Sequence, residues 1–421
     1  MRLIVDEKPE GMFFMHCNAI ENMEGTDTLN EKGSVKENIP LISVVIPVFN
    51  AENYIERCLE SVTHSTLKNI EIICVDDGST DNSLGILQNY SKKDGRIQVL
   101  TQENLHAGVA RNAGIEAAKG KYIHFLDADD FIDYAAYEKW YQIAEENNSD
   151  VCVCQYNTIN KQTGEMLRIN KNRKYKDSYL NTTNIKKDAD YLIFNEVAPW
   201  NKIYLRSFLL RNNIRFDDLV CANDRSFYFA VIYKAERITT VNEHWIYYTI
   251  NNEKSLVGNT RLKNFDVHFK SFMIIWNVLK DADDEIKKKV LKNCITDSFY
   301  FYRKSIGTGY QKSIENQMYD FWHKKYIPLL GEGVLNVGWF KDYLKILLRD
   351  MPQERSSEIL TIFDMYRNRQ KTLEIKNKKM AAKNKRIEAK YNKLLNSRSY
   401  KIGRIITLPV RTVKSIMKTL K

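Results

Sequence analysis

Proline and glycine are scarce, 7 and 17 among 421 residues. Collagen-like triple helices and mucin-like stalks need far more of both, and long low-complexity linkers do too. These classes are excluded, and a chain rich in regular elements is expected. Cysteine is sparse and unpaired: Cys17, Cys58, Cys74, Cys152, Cys154, Cys221 and Cys294 contain no CxxC. A structural zinc site needs two such knuckles. The cysteines therefore read as small buried hydrophobes in a reducing compartment. No run approaches ~18 uninterrupted apolar residues, so no transmembrane helix is expected. The opening MRLIVDEKPEG places acids and a proline where a secretory leader needs an apolar stretch, which points to a cytoplasmic protein. Gly108, Gly114 and Gly120 miss the GxGxxG spacing, so the dinucleotide fingerprint is absent.

What is present suits two or three domains: 43% apolar residues, 28% charged, and 24 Tyr, 18 Phe and 6 Trp to fill a core. The net charge of +11 is unevenly spread. Residues 367–421 carry 18 Lys and Arg against Glu374 and Glu388, a net +16, and the remainder is −5. A basic tail on a mildly acidic body points to a polyanionic partner, nucleic acid or an anionic membrane.

Residues 1–40 show little periodicity and read as a poorly ordered extension. From Leu41 the pattern alternates. LISVVIPVF is a short β-branched run of the kind found in a strand buried on both faces, IEIICVD reads as a second buried strand, and IQVLTQ and YIHFLDAD as the third and fourth. Between them lie helical stretches at about 51–65, 83–91 and 109–118, the second with Ser79 or Thr80 as N-cap. This is the α/β alternation of a mostly parallel sheet. Further elements follow over 136–260, including a helix at 137–147 and a strand at 150–156. Residues 261–365 read as helical, broken only at Pro328 and Pro352. Residues 366–399 read as a polar helical stalk with Tyr366, Leu373, Met380, Ile387 and Leu394 at heptad spacing. That stripe is either a homodimer seam or one side of a solvated helix. Residues 400–421 form a basic amphipathic helix, which either docks on the body or lies on an anionic membrane.

In a parallel sheet of this kind, ligands sit beyond the carboxyl ends of the strands. Five acids collect there: Asp76, Asp77, Asp127, Asp129 and Asp130. With few basic residues beside them, such carboxylates call for a hard divalent cation, which in turn suits a diphosphate. Asp130, preceding FIDYAAY, is either a helix cap or a site residue. His124 alternates with apolar strand residues and reads as a core histidine. Trp200, Tyr156 and Phe227 are either sugar-stacking or core aromatics.

SVVIPVFNAENYIERCLESV, IEIICVDDGSTDNS and ARNAGIEAAKGKYIHFLDADD, in that order, resemble the opening domain of the family 2 glycosyltransferases of bacterial surface-polysaccharide type. PWNKIYLRSFL, ANDRSFYF and WIYYTINNEKSL are weaker matches. The resemblance implies a GT-A (Rossmann-like) domain over 41–260, with a nucleotide-sugar half at 41–135 and an acceptor half at 136–260. It implies that Pro47 and Val48 line the nucleotide pocket and that Glu52 touches the sugar nucleotide. Asp77 would accept from the base, and Arg111 would support the nucleotide, bridging Asp77. Asp127 would lie near the ribose, Asp129 would hold Mn²⁺ or Mg²⁺, and Asp224 would be the general base. Family members often carry Glu-Asp where this chain has Asn223-Asp224. Lys202 is either a positive charge near the diphosphate or a surface lysine.

A single base, with no covalent intermediate, implies inversion. The implied donor is a nucleotide sugar, UDP-linked by family frequency, and the implied acceptor a glycan or lipid-linked glycan. On that reading the tail's partner is an anionic membrane, not nucleic acid, and the protein is peripheral to the inner face of the cell membrane. Two rivals remain at this level. A nucleotidyltransferase would need a Gly-rich loop where PVFNAENY stands. A non-catalytic scaffold would bind polyanions through the tail alone.

Overall fold

The computed structural model describes residues 39–160, 165–167, 197–250 and 262–321, with scattered helical positions between 379 and 389. The chain divides into two units, Met1–Phe321 and Trp322–Lys421. In the second unit the described positions, Met380 among them, are helical and exposed. The 1–38 extension, the 322–365 stretch, most of the stalk and the 400–421 tail lie outside the described residues.

In the first unit the β-branched runs form strands in the expected order: β1 (Ile42–Val48), β2 (Ile70–Asp77), β3 (Ile97–Gln102) and β4 (Tyr122–Phe125). Then come β5 (Phe131–Ile132), β6 (Val151–Asn160), β7 (Met166–Leu167), β8 (Lys202–Leu205) and β9 (Ile238–Ile250). The sheet order is β3-β2-β1-β4-β8-β6-β9-β5, with β7 on β6. The first four strands are wholly parallel, and antiparallel pairs enter at β4–β8, β6–β8 and β5–β9.

The helices of the parallel half are α1 (Ile55–Thr63), α2 (Ser83–Lys93), α3 (His106–Ala117) and α4 (Ala136–Glu146). Alternating strand residues serve the two sheet faces. Ile42, Val44, Ile46 and Val48 join one core with Ile55, Cys58, Leu59 and Val62 of α1 and with Tyr137 and Trp140 of α4. Val45 faces the other way, against α3. A Cβ on Gly114 of that helix would sit 2.2 Å from Val45 Cγ1, so only glycine permits this approach. Both faces of β1 and β2 are covered, which is why these strands read as unbroken apolar runs, whereas the edge strand β3 is buried only at Ile97.

α1 starts at Ile55, later than expected, because Glu52–Tyr54 form a turn in which Tyr54 N donates to Ala51 O at 2.9 Å. The N-cap of α2 is Asn82, without a side-chain bond, and neither Ser79 nor Thr80 caps it. Those hydroxyls are used elsewhere: Ser79 Oγ accepts from Asn50 N at 3.0 Å, and Thr80 Oγ1 donates to Asn50 Oδ1 at 3.2 Å. His124 is a core residue. The Trp200 carbonyl can only accept, so Nε2–H donates to it at 2.6 Å, and Nδ1 accepts from Tyr137 O–H at 2.9 Å. Burial pushes its pKa down to about 4.

After β8 come α5 (Arg206–Arg211) and α6 (Asn223–Lys234). Beyond β9 the described helices are α7 (Asp266–Val278), α8 (Asp284–Ser305) and α9 (Gln311–Tyr319). The six described cysteines are all buried, with no disulfide among them.

Candidate active site

The crevice opens where β1 parts from β4. Their register ends at Val45↔Phe125, whereas β1 continues beside β2 to Val48↔Asp76. Pro47, which has no N–H to give a ladder, stands beyond the last β4 pair. Pro47 is half-buried and Val48 buried, and Phe49 beside them is 47% exposed.

The loops after β1 and β2 are laced together. Thr80 N donates to Asn50 Oδ1 at 2.8 Å, Ala51 N to Ser83 Oγ at 2.8 Å, and Asn82 N to Glu52 Oε2 at 3.0 Å. Glu52 thus ties its own loop to the start of α2. Gly78 bends the chain with φ +71°, and a Cβ there would lie 2.9 Å from Asn104 N.

Asp76 and Asp77 are both 3% exposed. Asp77 Oδ1 accepts from Gln102 Nε2 at 2.7 Å and Leu105 N at 2.9 Å. Asp76 Oδ2 accepts from Ser79 N at 3.2 Å, and its Oδ1 is buried without a hydrogen-bond donor. Arg111 does not bridge Asp77. Its Nη2 donates to Asp127 Oδ1 at 2.7 Å and its Nη1 to Asn223 Oδ1 at 3.4 Å, over the Phe216 ring.

The turn after β4 is clamped from both sides. Arg57 Nη2 donates to Asp129 O and to Thr249 Oγ1, both at 2.9 Å, and Thr249 Oγ1 donates to Asp129 O at 2.8 Å. Thr249 N donates to Asp130 Oδ1 at 2.8 Å. Asp130 is therefore no helix cap: α4 starts at Ala136, and Asp130 is fully buried with Oδ2 lacking a donor. Burial first, then the charges of Asp129 and Asp127, hold its carboxyl well above the usual range.

Three carboxyls on one turn, two of them half-buried, carry negative charge that raises the proton affinity of the third. Oxygen ligands of this kind are hard, the chemistry that Mg²⁺ and Mn²⁺ prefer. Among the described residues, no group of three or more His, Cys, Asp or Glu is arranged to hold a metal by itself.

Asp224 lies half-buried in the first turn of α6. Asn223, where the family often has Glu, meets Arg111, so the same guanidinium touches the neighbours of Asp129 and Asp224. Lys202 is neither a surface residue nor open to the crevice. It is 1% exposed and donates to Ala198 O at 2.8 Å and Asn201 Oδ1 at 2.6 Å. Trp200 and Phe227 are core aromatics, 5% and 1% exposed, stacked on Tyr248 and Phe216. Tyr156 packs edge-on to Trp200. His106 opens α3 at φ +69°.

Sequence reasoning missed Arg57 and Thr249 altogether, and it gave Phe49 no role. Thr249 stands 119 residues from Asp130, and no local pattern marks such a contact.

A parallel β3-β2-β1-β4 half, closed by a mixed half with acids at the strand ends, is the GT-A glycosyltransferase fold. The solved structure of S. aureus TarS residues 1–349 superposes with a TM-score of 0.59 at 22% identity, covering 78% of this chain and 91% of that one. The same protein solved with UDP-GlcNAc gives 0.59 at 23% identity. Residues 43–209 match the family model described as Glycosyl transferase family 2.

Among curated relatives, the uncharacterized glycosyltransferase EpsJ of Bacillus subtilis is 34% identical over 216 residues, 51% of this chain and 62% of the relative. The poly(ribitol-phosphate) beta-glucosyltransferase of Bacillus spizizenii is 30% identical over 328 residues, 76% of this chain and 46% of the relative. The chain thus spans less than two thirds of the length of these relatives.

Proposed function

We propose that this protein is an inverting glycosyltransferase. It would move a sugar from a nucleotide-sugar donor, UDP-linked, to a hydroxyl of a glycan or lipid-linked glycan in cell-surface polysaccharide synthesis. The observation that carries the reading is the Arg111 bridge. By touching Asp127 and Asn223 together, it brings the acidic turn after β4 and the first turn of α6 to one crevice.

In this reading Pro47, Val48 and the exposed Phe49 ring wall the nucleotide. The carboxylates of Asp76 and Asp77 receive N–H groups of the base, and Glu52 supports the loop beneath. Asp127 serves the ribose. Asp129 would hold Mn²⁺ or Mg²⁺, which when bound offsets the charge developing on the departing diphosphate. Lys202 acts from beneath, by fixing the Ala198–Asn201 turn.

Asp224 takes the proton of the acceptor hydroxyl as its oxygen bonds to the anomeric carbon. The carbon–oxygen bond to the diphosphate breaks, and its electron pair leaves with the diphosphate. One attack on the opposite face turns an α-linked donor into a β-linked product.

The solved relative bound to UDP-GlcNAc and the relative named for poly(ribitol-phosphate) support a UDP-sugar and a polymeric acceptor. The basic stretch 367–421 would hold the enzyme at an anionic membrane surface. No described helix is long and apolar enough to cross a membrane.

The test is a screen of UDP-, GDP- and dTDP-sugars for Mn²⁺-dependent transfer, followed by Asp224→Asn. Turnover should fall by ~10²–10⁴-fold with donor binding kept. Loss of donor binding at unchanged turnover would show Asp224 to be structural.

A further inference from the structure

Residues 43–209 carry the family match, yet the turn that presents Asp224 is held by helices that follow it. Among the described residues, five non-glycine residues have positive φ: Asn50, His106, Asn148, Asn213 and Ala222. Three are asparagine, whose short polar side chain tolerates the left-handed region. Ala222 has no such group, and it adopts φ +60°, ψ 15° as the N-cap of α6. A backbone of this kind persists only when its surroundings hold it.

The surroundings come from residues 262–305. Ser271 of α7, fully buried, donates its hydroxyl to Ala222 O at 3.2 Å. Asp297 of α8 pairs with Arg225 Nη1 at 2.6 Å, one residue beyond Asp224. Leu219 and Cys221, leading into the turn, pack in a small cluster with Val267 and Ile274 of α7. Within the turn, Asn223 Nδ2 donates to Leu219 O at 3.1 Å, and Asn223 Oδ1 accepts from Arg111. The turn is therefore gripped between Arg111 of the nucleotide half and two helices outside the family-matched segment.

We propose that Ser271 and Asp297 are positioning residues for Asp224, and that the helical region completes the active site by holding Ala222 in its left-handed conformation. This inference rests on the reading of Asp224 as the base. With the Ser271 hydroxyl gone, Ala222 relaxes toward negative φ, and the first turn of α6 swings its carboxylate off line. The donor pocket, built from β1, β2 and the turn after β4, is left intact.

The experiment uses the full chain and Mn²⁺, with whichever UDP-, GDP- or dTDP-sugar turns over fastest. It measures kcat, donor KM and melting temperature for Ser271→Ala, Asp297→Asn, Ser271→Ala/Ala222→Gly and Asp224→Asn. Ser271→Ala and Asp297→Asn should each lower kcat about tenfold, the scale of a small misplacement of a catalytic group, with donor KM within about twofold. Adding Ala222→Gly to Ser271→Ala should restore kcat to within about twofold, because glycine adopts φ +60° unaided.

A merely structural Ser271 would lower the melting temperature without that rescue, and this outcome overturns the inference. So does wild-type kcat in both single variants while Asp224→Asn is inactive, which leaves the base reading standing. Full activity in Asp224→Asn removes that reading and the inference with it.

Discussion

Arg111 offers the sharpest test of how the crevice is organised. It is 6% exposed, and its ion pair with Asp127 spans 2.7 Å, with side chains 7% and 29% exposed. Removing one partner of a fully buried pair costs about 3–5 kcal/mol, whereas an exposed pair is worth about 0–1 kcal/mol. Water reaches Asp127 but scarcely Arg111, so Arg111→Met should cost roughly 2–3 kcal/mol, toward the buried end of that range. At about 2–4 °C per kcal/mol for a unit of this size, the melting temperature should fall by about 4–12 °C.

Asp127→Asn alone strands the buried guanidinium, whose Nε already lacks an acceptor, and should cost about as much. The double variant removes both charges and should be more stable than the sum of the singles by about 1–2 kcal/mol. The Asn223 contact, at 3.4 Å and uncharged on one side, should couple to Arg111 far more weakly. Urea denaturation of the four proteins gives the coupling. Additivity within about 0.5 kcal/mol would mean that Arg111 does not organise Asp127, and the bridging argument would fail.

Three further outcomes are expected. Asp129→Ala should abolish Mn²⁺-dependent stabilisation by UDP while the metal-free melting temperature stays near wild type; retained stabilisation would remove the metal assignment. His124 is buried neutral with its pKa down near 4, so its contribution is present above its unfolded pKa of ~6.5 and is lost as pH falls from there through 4, in total about 3 kcal/mol. His124→Gln should flatten that limb of the stability profile, and an unchanged slope would place the titration elsewhere. Truncation after Ser399 should end sedimentation with anionic vesicles and spare activity on a soluble acceptor; equal binding to neutral vesicles would refute the electrostatic anchor.

The parallel half was legible because its signals are local. β-branched runs, strand–helix spacing and acids at strand ends each occupy a few consecutive residues, and β1 and β2 are buried on both faces as their runs imply. What escaped was long-range. Lys202 looked like a surface or phosphate-facing cation, but packing buried it and gave it to Ala198 and Asn201. Ser79 and Thr80 suit a helix cap by type, yet Asn50, 29 and 30 residues away, took them. Asp130 was ambiguous between cap and site because its partner, Thr249, comes from the other end of the domain. Arg111 was expected at Asp77 but meets Asp127 and Asn223, since α3 faces the turn after β4 and the start of α6.

The clamp that Thr249 places on the acidic turn has a bearing on synthesis. Asp130 and Thr249 are 119 residues apart, so at about 5–20 residues per second the turn waits roughly 6–24 s on the ribosome for its last backbone donor. During that interval β1 to β4 can already pair, but β4 shows an open edge and Asp130 lacks its backbone donor. The nascent chain therefore pairs its parallel strands before the turn after β4 is tied, and slow passage between residues 130 and 250 is where aggregation would strike.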